Sequence, residues 1–238
     1  MQRWYFIHIM KTAGTSFRAM LEAHPGLRIY PTAQDLTQQE KGWYLGPRAV
    51  LAQSHSGGID LSETHVLCGH YAASFSEALE GDWHRVTFLR DPILRSLSRI
   101  AHRHRHVRSA RPLDLWHYLE DTDFVDRHIR DYQTKVLALA PDANVNRACA
   151  IDTACFARAC AKLHAINLVG LTEEFAASIR LFEVMSGWRF SKLPHINKSI
   201  SLNASPEVIA RIKHLVPHDL ELYALAREQF AARLAALP

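Results

Sequence analysis

Lys11, Thr12, Ala13, Gly14, Thr15 and Ser16 run consecutively, directly after an apolar segment. A lysine, three hydroxyls and a glycine in so short a span can surround an anion. The lysine brings a full charge and the hydroxyls donate hydrogen bonds. Backbone N–H groups at a helix start add a converging positive field. A phosphorylated ligand is expected on this loop. Arg90 and Ser98 form a second group of the same kind. Arg90 is a planar cation with several donors, and Ser98 lies about two helical turns on, within reach of the same phosphate. His70 is the third candidate, an imidazole suited to accepting a proton near neutral pH. His55 and Glu77 stand behind it as further bases.

An alternation of strands and helices must place these side chains. Residues 4–9, WYFIHI, read as a strand covered on both faces. Gly14 is expected to supply the freedom for a sharp turn. Thr15 or Ser16 is then the cap of a helix carrying Phe17, Met20 and Leu21. Residues 27–30 form a short strand closed by Pro31; 35–46 are polar with a weak helical pattern, and 54–60 read as a loop. Residues 65–69 are a second strand with His70 at its end, and 83–89 a third ending at Arg90. Asp91-Pro92 then opens a helix in the preferred way, as N-cap and first helical residue, running to about 107. Further helices are expected over 112–120, 124–139, 156–163 and 173–185, with a strand over 166–170. Residues 191–205 are irregular, and Ser205-Pro206 opens a last helical pair reaching Phe230.

This order predicts an α/β fold, a mainly parallel central sheet flanked by helices on both faces. Ligands of such sheets gather at the C-terminal strand ends, so Lys11, His70 and Arg90 are expected in one cleft. The 238 residues suffice for one domain over 1–238, and 48% hydrophobic with 22% charged residues is ordinary for a soluble globular chain. No apolar run is long enough for a transmembrane segment, and the first residues lack a secretory signal, so a cytoplasmic protein is expected. The four cysteines, Cys68, Cys149, Cys155 and Cys160, contain no CxxC pair, which leaves no support for a metal site. Free thiols are expected, with a Cys149–Cys155 bridge left open. A net charge of +4 and fifteen histidines suit an anionic ligand, more so in mild acid. The basic run at 102–108, HRHRHVR, has no interleaved aromatics, so nucleic acid is not expected as a partner. It reads either as a solvated helix end, the usual case, or as a face turned to an acidic acceptor through Arg95, His102 and His106.

The nucleoside-triphosphate loop GxxxxGK[ST] has the wrong order for this chain. Here the lysine comes first and the single glycine follows it. Taken together, IHIMKTAGTSFR and VTFLRDPILRSLS instead resemble the two signatures of sulfotransferases that use 3'-phosphoadenosine 5'-phosphosulfate (PAPS). The nearest likeness is to the carbohydrate group that includes heparan sulfate 2-O-sulfotransferase. The resemblance implies a P-loop-like three-layer fold, PAPS as donor, PAP as product, and a carbohydrate or other hydroxyl-bearing acceptor. It implies that Lys11, Thr12, Ala13, Gly14, Thr15 and Ser16 hold the 5'-phosphosulfate and Arg90 and Ser98 the 3'-phosphate. Lys11 and His70 are the implied catalytic pair. Weaker echoes lie at 131–138, 169–175 and 193–199. Met10 departs from the family's proline, and Cys68 from a histidine two residues before the strand-end one. A P-loop-type kinase and a non-catalytic binder of acidic polysaccharide are the alternatives.

Overall fold

The structure, a computed structural model, describes residues 2–32, 46–107, 112–191 and 203–237. Its centre is β1 (Trp4–Ile7), four consecutive side chains with no exposed surface. A strand can bury both faces only when layers cover both, and aromatic and branched residues fill that space well. β3 (Val66–Gly69) pairs with β1 on one side and β4 (His84–Leu89) on the other, both parallel. β2 (Ile29–Tyr30) adds beyond β3, and β5 (Leu168–Leu171) beyond β4. The strand order is β2-β3-β1-β4-β5. From β1 the chain goes to the β2 edge, returns through β3 to the flank of β1, and then crosses to β4 and β5, so the crevice beside β1 is a topological switch point.

The helices that matter for the cleft follow the strands directly. α1 (Gly14–Glu22) leaves β1; α2 (Pro47–His55) precedes β3; α3 (Pro92–His106) leaves β4. Then come α4 (Leu115–Glu120), α5 (Thr122–His128), α6 (Tyr132–Ala138) and α7 (Thr153–Ala165). After β5 follow α8 (Phe175–Ser186), α9 (Pro206–Leu215) and α10 (Pro217–Ala235). The main core packs around Phe6, Phe17, Phe88 and Phe182, whose rings meet edge-on or tilted. A satellite core gathers Leu97 and Ile100 of α3 with Tyr118, Phe124, Val125, Ile212 and Leu215. Because that core takes one side of α3, the other side is left facing the sheet edge. Among the described residues, no helix is long and apolar enough to cross a membrane.

Most expected elements are present, with Asp91 accepting from the Leu94 N–H at 2.9 Å as the N-cap of α3. Three expectations need correction. The helix expected over 124–139 is two helices, broken where Asp131 takes a left-handed conformation at φ 39°. The Asp131 carboxylate accepts from the Asp219 N–H and pairs with His218 Nδ1, each at 3.0 Å. The open carbonyls at the end of α5 are taken by buried cations: Lys135 Nζ reaches those of Asp126 and Arg127, and Arg95 that of His128. The loop expected from residue 54 begins only after His55, because Pro47 starts a helix not foreseen there. Neither Thr15 nor Ser16 caps α1; Ala13 holds the N-cap position, without a side-chain hydrogen bond. The weak helical pattern at 35–46 and the irregular stretch at 191–205 fall largely outside the described residues.

Candidate functional site

The loops after β1, β3, β4 and β5 meet at the C-terminal edge of the sheet around a cleft of about 920 Å³. Lys11, Ala13, Gly14, Thr15, Ser16, His70, Arg90 and Ser98 all line it. Thr12, grouped with them on sequence, does not. It is fully buried, and its hydroxyl donates to the Ile9 carbonyl at 2.9 Å, holding the loop rather than facing the cleft.

The loop turns by a route the sequence did not suggest. Gly14 is already helical, and the left-handed residues are Lys11 at φ 71° and Ala13 at φ 63°. For side-chain-bearing residues this costs on the order of 1 kcal/mol each or more. Alternating hands aim successive N–H groups toward one point, an anion-binding concavity at the start of α1. Gly14 is needed for a different reason. A Cβ there would lie 2.0 Å from Cδ2 and Nε2 of His8, whose ring occupies the space over Gly14. His8 lines the cleft, stacks on Phe6 at 5.2 Å and meets the His70 ring tilted at 31°, 4.1 Å between ring centres. It was passed over on sequence, because a histidine inside an apolar strand reads as part of the strand.

His70 is fixed by the same residue. Its Nδ1 lies 2.6 Å from the His8 carbonyl oxygen. A carbonyl only accepts, so Nδ1 carries the proton and donates, and the basic nitrogen of the neutral ring is Nε2. Burial pushes the His70 pKa down to about 4, the His8 hydrogen bond working against this and Arg99 with it. Burial, followed by the charges of His70, Arg18 and Lys11, holds His8 well below the usual imidazole range. Burial and the neighbouring Arg105, Arg99, Arg90 and Arg95 bring Lys11 down to about 8. His55 and Glu77 are not in the cleft. His55 bonds the Ala78 carbonyl at 3.1 Å, and Glu77 pairs with Arg85 at 2.7 Å and with Lys162.

Arg90 follows the last residue of β4 and spans the two anion groups. Its Nη1 donates to the Lys11 carbonyl at 3.3 Å, and its Nε lies 3.9 Å from Glu173. Glu173 in turn accepts from the Asp91 N–H at 3.1 Å and the Tyr223 hydroxyl at 2.8 Å. The run after Ser98 is a solvated helix end, with Arg103, Arg105 and His106 exposed, that also borders the cleft. Arg99, His102, Arg103 and His106 line the cleft, whereas Arg95 points inward to the His128 carbonyl and the Tyr132 ring. Burial, then Lys11, Arg99, Arg105 and His106, pushes His102 down to about 4. Glu173 is the one carboxylate lining the cleft among the described residues, so its positive groups oppose one another. The arrangement can attract a ligand carrying several negative charges.

No protein-family model matches the chain, and no curated protein does. Among solved structures, a sulfotransferase from Alicyclobacillus acidocaldarius is similar over 97% of this chain and 99% of that one. The TM-score is 0.53 at 16% sequence identity. The likeness is one of fold, an α/β parallel sheet flanked by helices, and does not extend to the narrower heparan sulfate group.

Proposed function

We propose that this chain is a single-domain, PAPS-dependent sulfotransferase acting on a hydroxyl acceptor. The observation that carries the reading is convergence. The Lys11–Ser16 loop, the Arg90–Ser98 pair and His70 arrive from three strand ends at one cleft, with Arg90 touching the Lys11 carbonyl. Two anion groups joined in this way fit a nucleotide with a 5'-phosphosulfate and a 3'-phosphate. The matching fold of a solved sulfotransferase supports the reading.

When bound, the donor supplies a sulfuryl group whose bond to the 5'-phosphate oxygen breaks as the acceptor oxygen bonds to sulfur. Lys11 neutralises the charge left on that bridging oxygen, and the N–H groups at the start of α1 hold the 5'-phosphate. Arg90 and Ser98 hold the 3'-phosphate, which sets the choice of nucleotide. His70 Nε2 takes the acceptor's proton. The negative charge of the nucleotide opposes the Arg99 charge that, after burial, holds the His70 pKa down, and so makes Nε2 more basic. The two arginines of the wall, Arg99 and Arg103, favour an acceptor bearing acid groups, as some carbohydrates do, and His102 and His106 beside them add hydrogen-bonding nitrogens.

The test is calorimetric binding of adenosine 3',5'-bisphosphate (PAP) without metal, against AMP and ATP. Binding that depends on the 3'-phosphate is expected. Equal binding of AMP refutes the donor assignment, and preference for ATP with magnesium favours a kinase. In turnover, Lys11→Ala is expected to lose orders of magnitude at saturating donor, whereas Arg90→Ala mainly weakens donor binding. A protein that binds acidic polysaccharide only, without catalysis, would tolerate loss of Lys11 and show steep salt dependence.

A further inference from the structure

Arg90 stands where the sheet stops. β4 ends at Leu89, whose carbonyl still receives the Thr172 N–H at 2.9 Å from the β5 side. Among the described residues, the strand pairings of β4 end at Thr87 on the β1 side and at Leu89 on the β5 side. Gln133 takes both peptide groups of Arg90. Its Oε1 accepts from the Arg90 N–H at 3.0 Å, and its Nε2 donates to the Arg90 carbonyl at 2.9 Å. A primary amide presents an acceptor and a donor side by side, as a neighbouring strand does, so Gln133 extends the ladder by one residue.

Gln133 is itself fully buried and held from behind. Its own N–H donates to Asp219 Oδ2 at 3.1 Å. Thr134 gives Asp219 Oδ1 both its N–H, at 2.7 Å, and its hydroxyl, at 2.8 Å. Asp219 belongs to α10 and is tied by its N–H to Asp131, which pairs with His218. Thus the first turn of α6 is pinned to α10, and the side chain it projects clamps the backbone of a cleft cation 43 residues away.

We infer that Gln133 is a positioning residue for the 3'-phosphate site: by clamping the Arg90 peptide on both sides it aims the guanidinium, and so sets the preference for a 3'-phosphorylated nucleotide. The inference rests on the donor assignment above. A merely structural glutamine would leave nucleotide preference alone when removed, because stability and preference are separate quantities. A clamp that aims one guanidinium changes affinity only for ligands that reach it.

The experiment compares Kd for PAP and AMP in the wild type, Gln133→Met and Asp219→Asn. Methionine keeps the buried volume but leaves the Arg90 N–H and carbonyl without their partner. PAP is expected to bind Gln133→Met about tenfold more weakly, with AMP within about twofold. Asp219→Asn, which retains an acceptor oxygen behind the clamp, is expected to lose part of the same preference if Gln133→Met proves too unstable to purify. PAP and AMP weakened alike, or an unchanged ratio with only a lower Tm, overturns the inference while leaving the donor assignment standing. A wild type that does not prefer PAP overturns both.

Discussion

Lys11 offers a quantitative check on the charge argument. In the free protein its pKa is brought to about 8 by burial and four arginines. The charge of a bound polyanion offsets these effects and returns the ammonium toward its ordinary value near about 10.4. At pH 8 the free lysine is about half protonated and the bound one almost fully, so binding of PAP should take up about half a proton. The phosphates of PAP are already ionised at this pH and do not obscure the signal. By linkage, the lysine should make affinity fall up to about tenfold from pH 7 to pH 9, less at high salt. The assay is calorimetry at pH 8 in buffers of different ionisation enthalpy, with Kd followed from pH 7 to 9. Lys11→Arg keeps the charge but cannot titrate in this range, and should flatten the profile. Proton release at pH 8, or an uptake unchanged in Lys11→Arg, would show that the depressed lysine is not the group facing the anion.

Three further outcomes follow from the same geometry. His70→Ala should lower turnover by about 10²–10⁴-fold with PAP affinity little changed, measured by steady-state kinetics and calorimetry; a smaller loss removes His70 as the base. Gly14→Ala places a Cβ 2.0 Å from the His8 ring. It should cost about 1–3 kcal/mol by thermal or urea unfolding and weaken PAP binding, with both effects relieved in the His8→Ala/Gly14→Ala double variant. His70 and His102 are held down to about 4 and His128 to about 3. The unfolded chain therefore takes up protons first, and stability present above about pH 6.5 should be lost as pH falls toward 4. Urea midpoints at pH 7 and 5 check the sign, and an equal or higher midpoint at pH 5 refutes it.

Much of the fold was legible because its signals are local. A four-residue apolar run, an Asp-Pro helix start and a strand–helix alternation each lie within a few residues, and together they yield the parallel sheet and the placement of Lys11, His70 and Arg90 at strand ends. The loop was located correctly but its mechanics were not. Gly14 was read as the flexible turn, yet Lys11 and Ala13 carry the left-handed conformations while Gly14 makes room for a ring six residues back. The basic run of α3 was legible as a charge pattern only; its direction depends on the satellite core that claims Leu97 and Ile100.

By itself, then, the sequence determined which residues carry the charge, which segments become most of the strands and helices, and at which strand ends the candidate side chains stand. Hydrophobic period, proline and capping chemistry act over one or two turns and leave their mark in the local order of residues. The tertiary structure alone decided the rest: the His8–His70 contact across 62 positions, the Gln133 clamp across 43, and its anchor at Asp219 across 86. Each of these satisfies a buried polar group with whatever donor or acceptor packing brings near. No spacing rule records that choice, because it is made by the whole core settling at once.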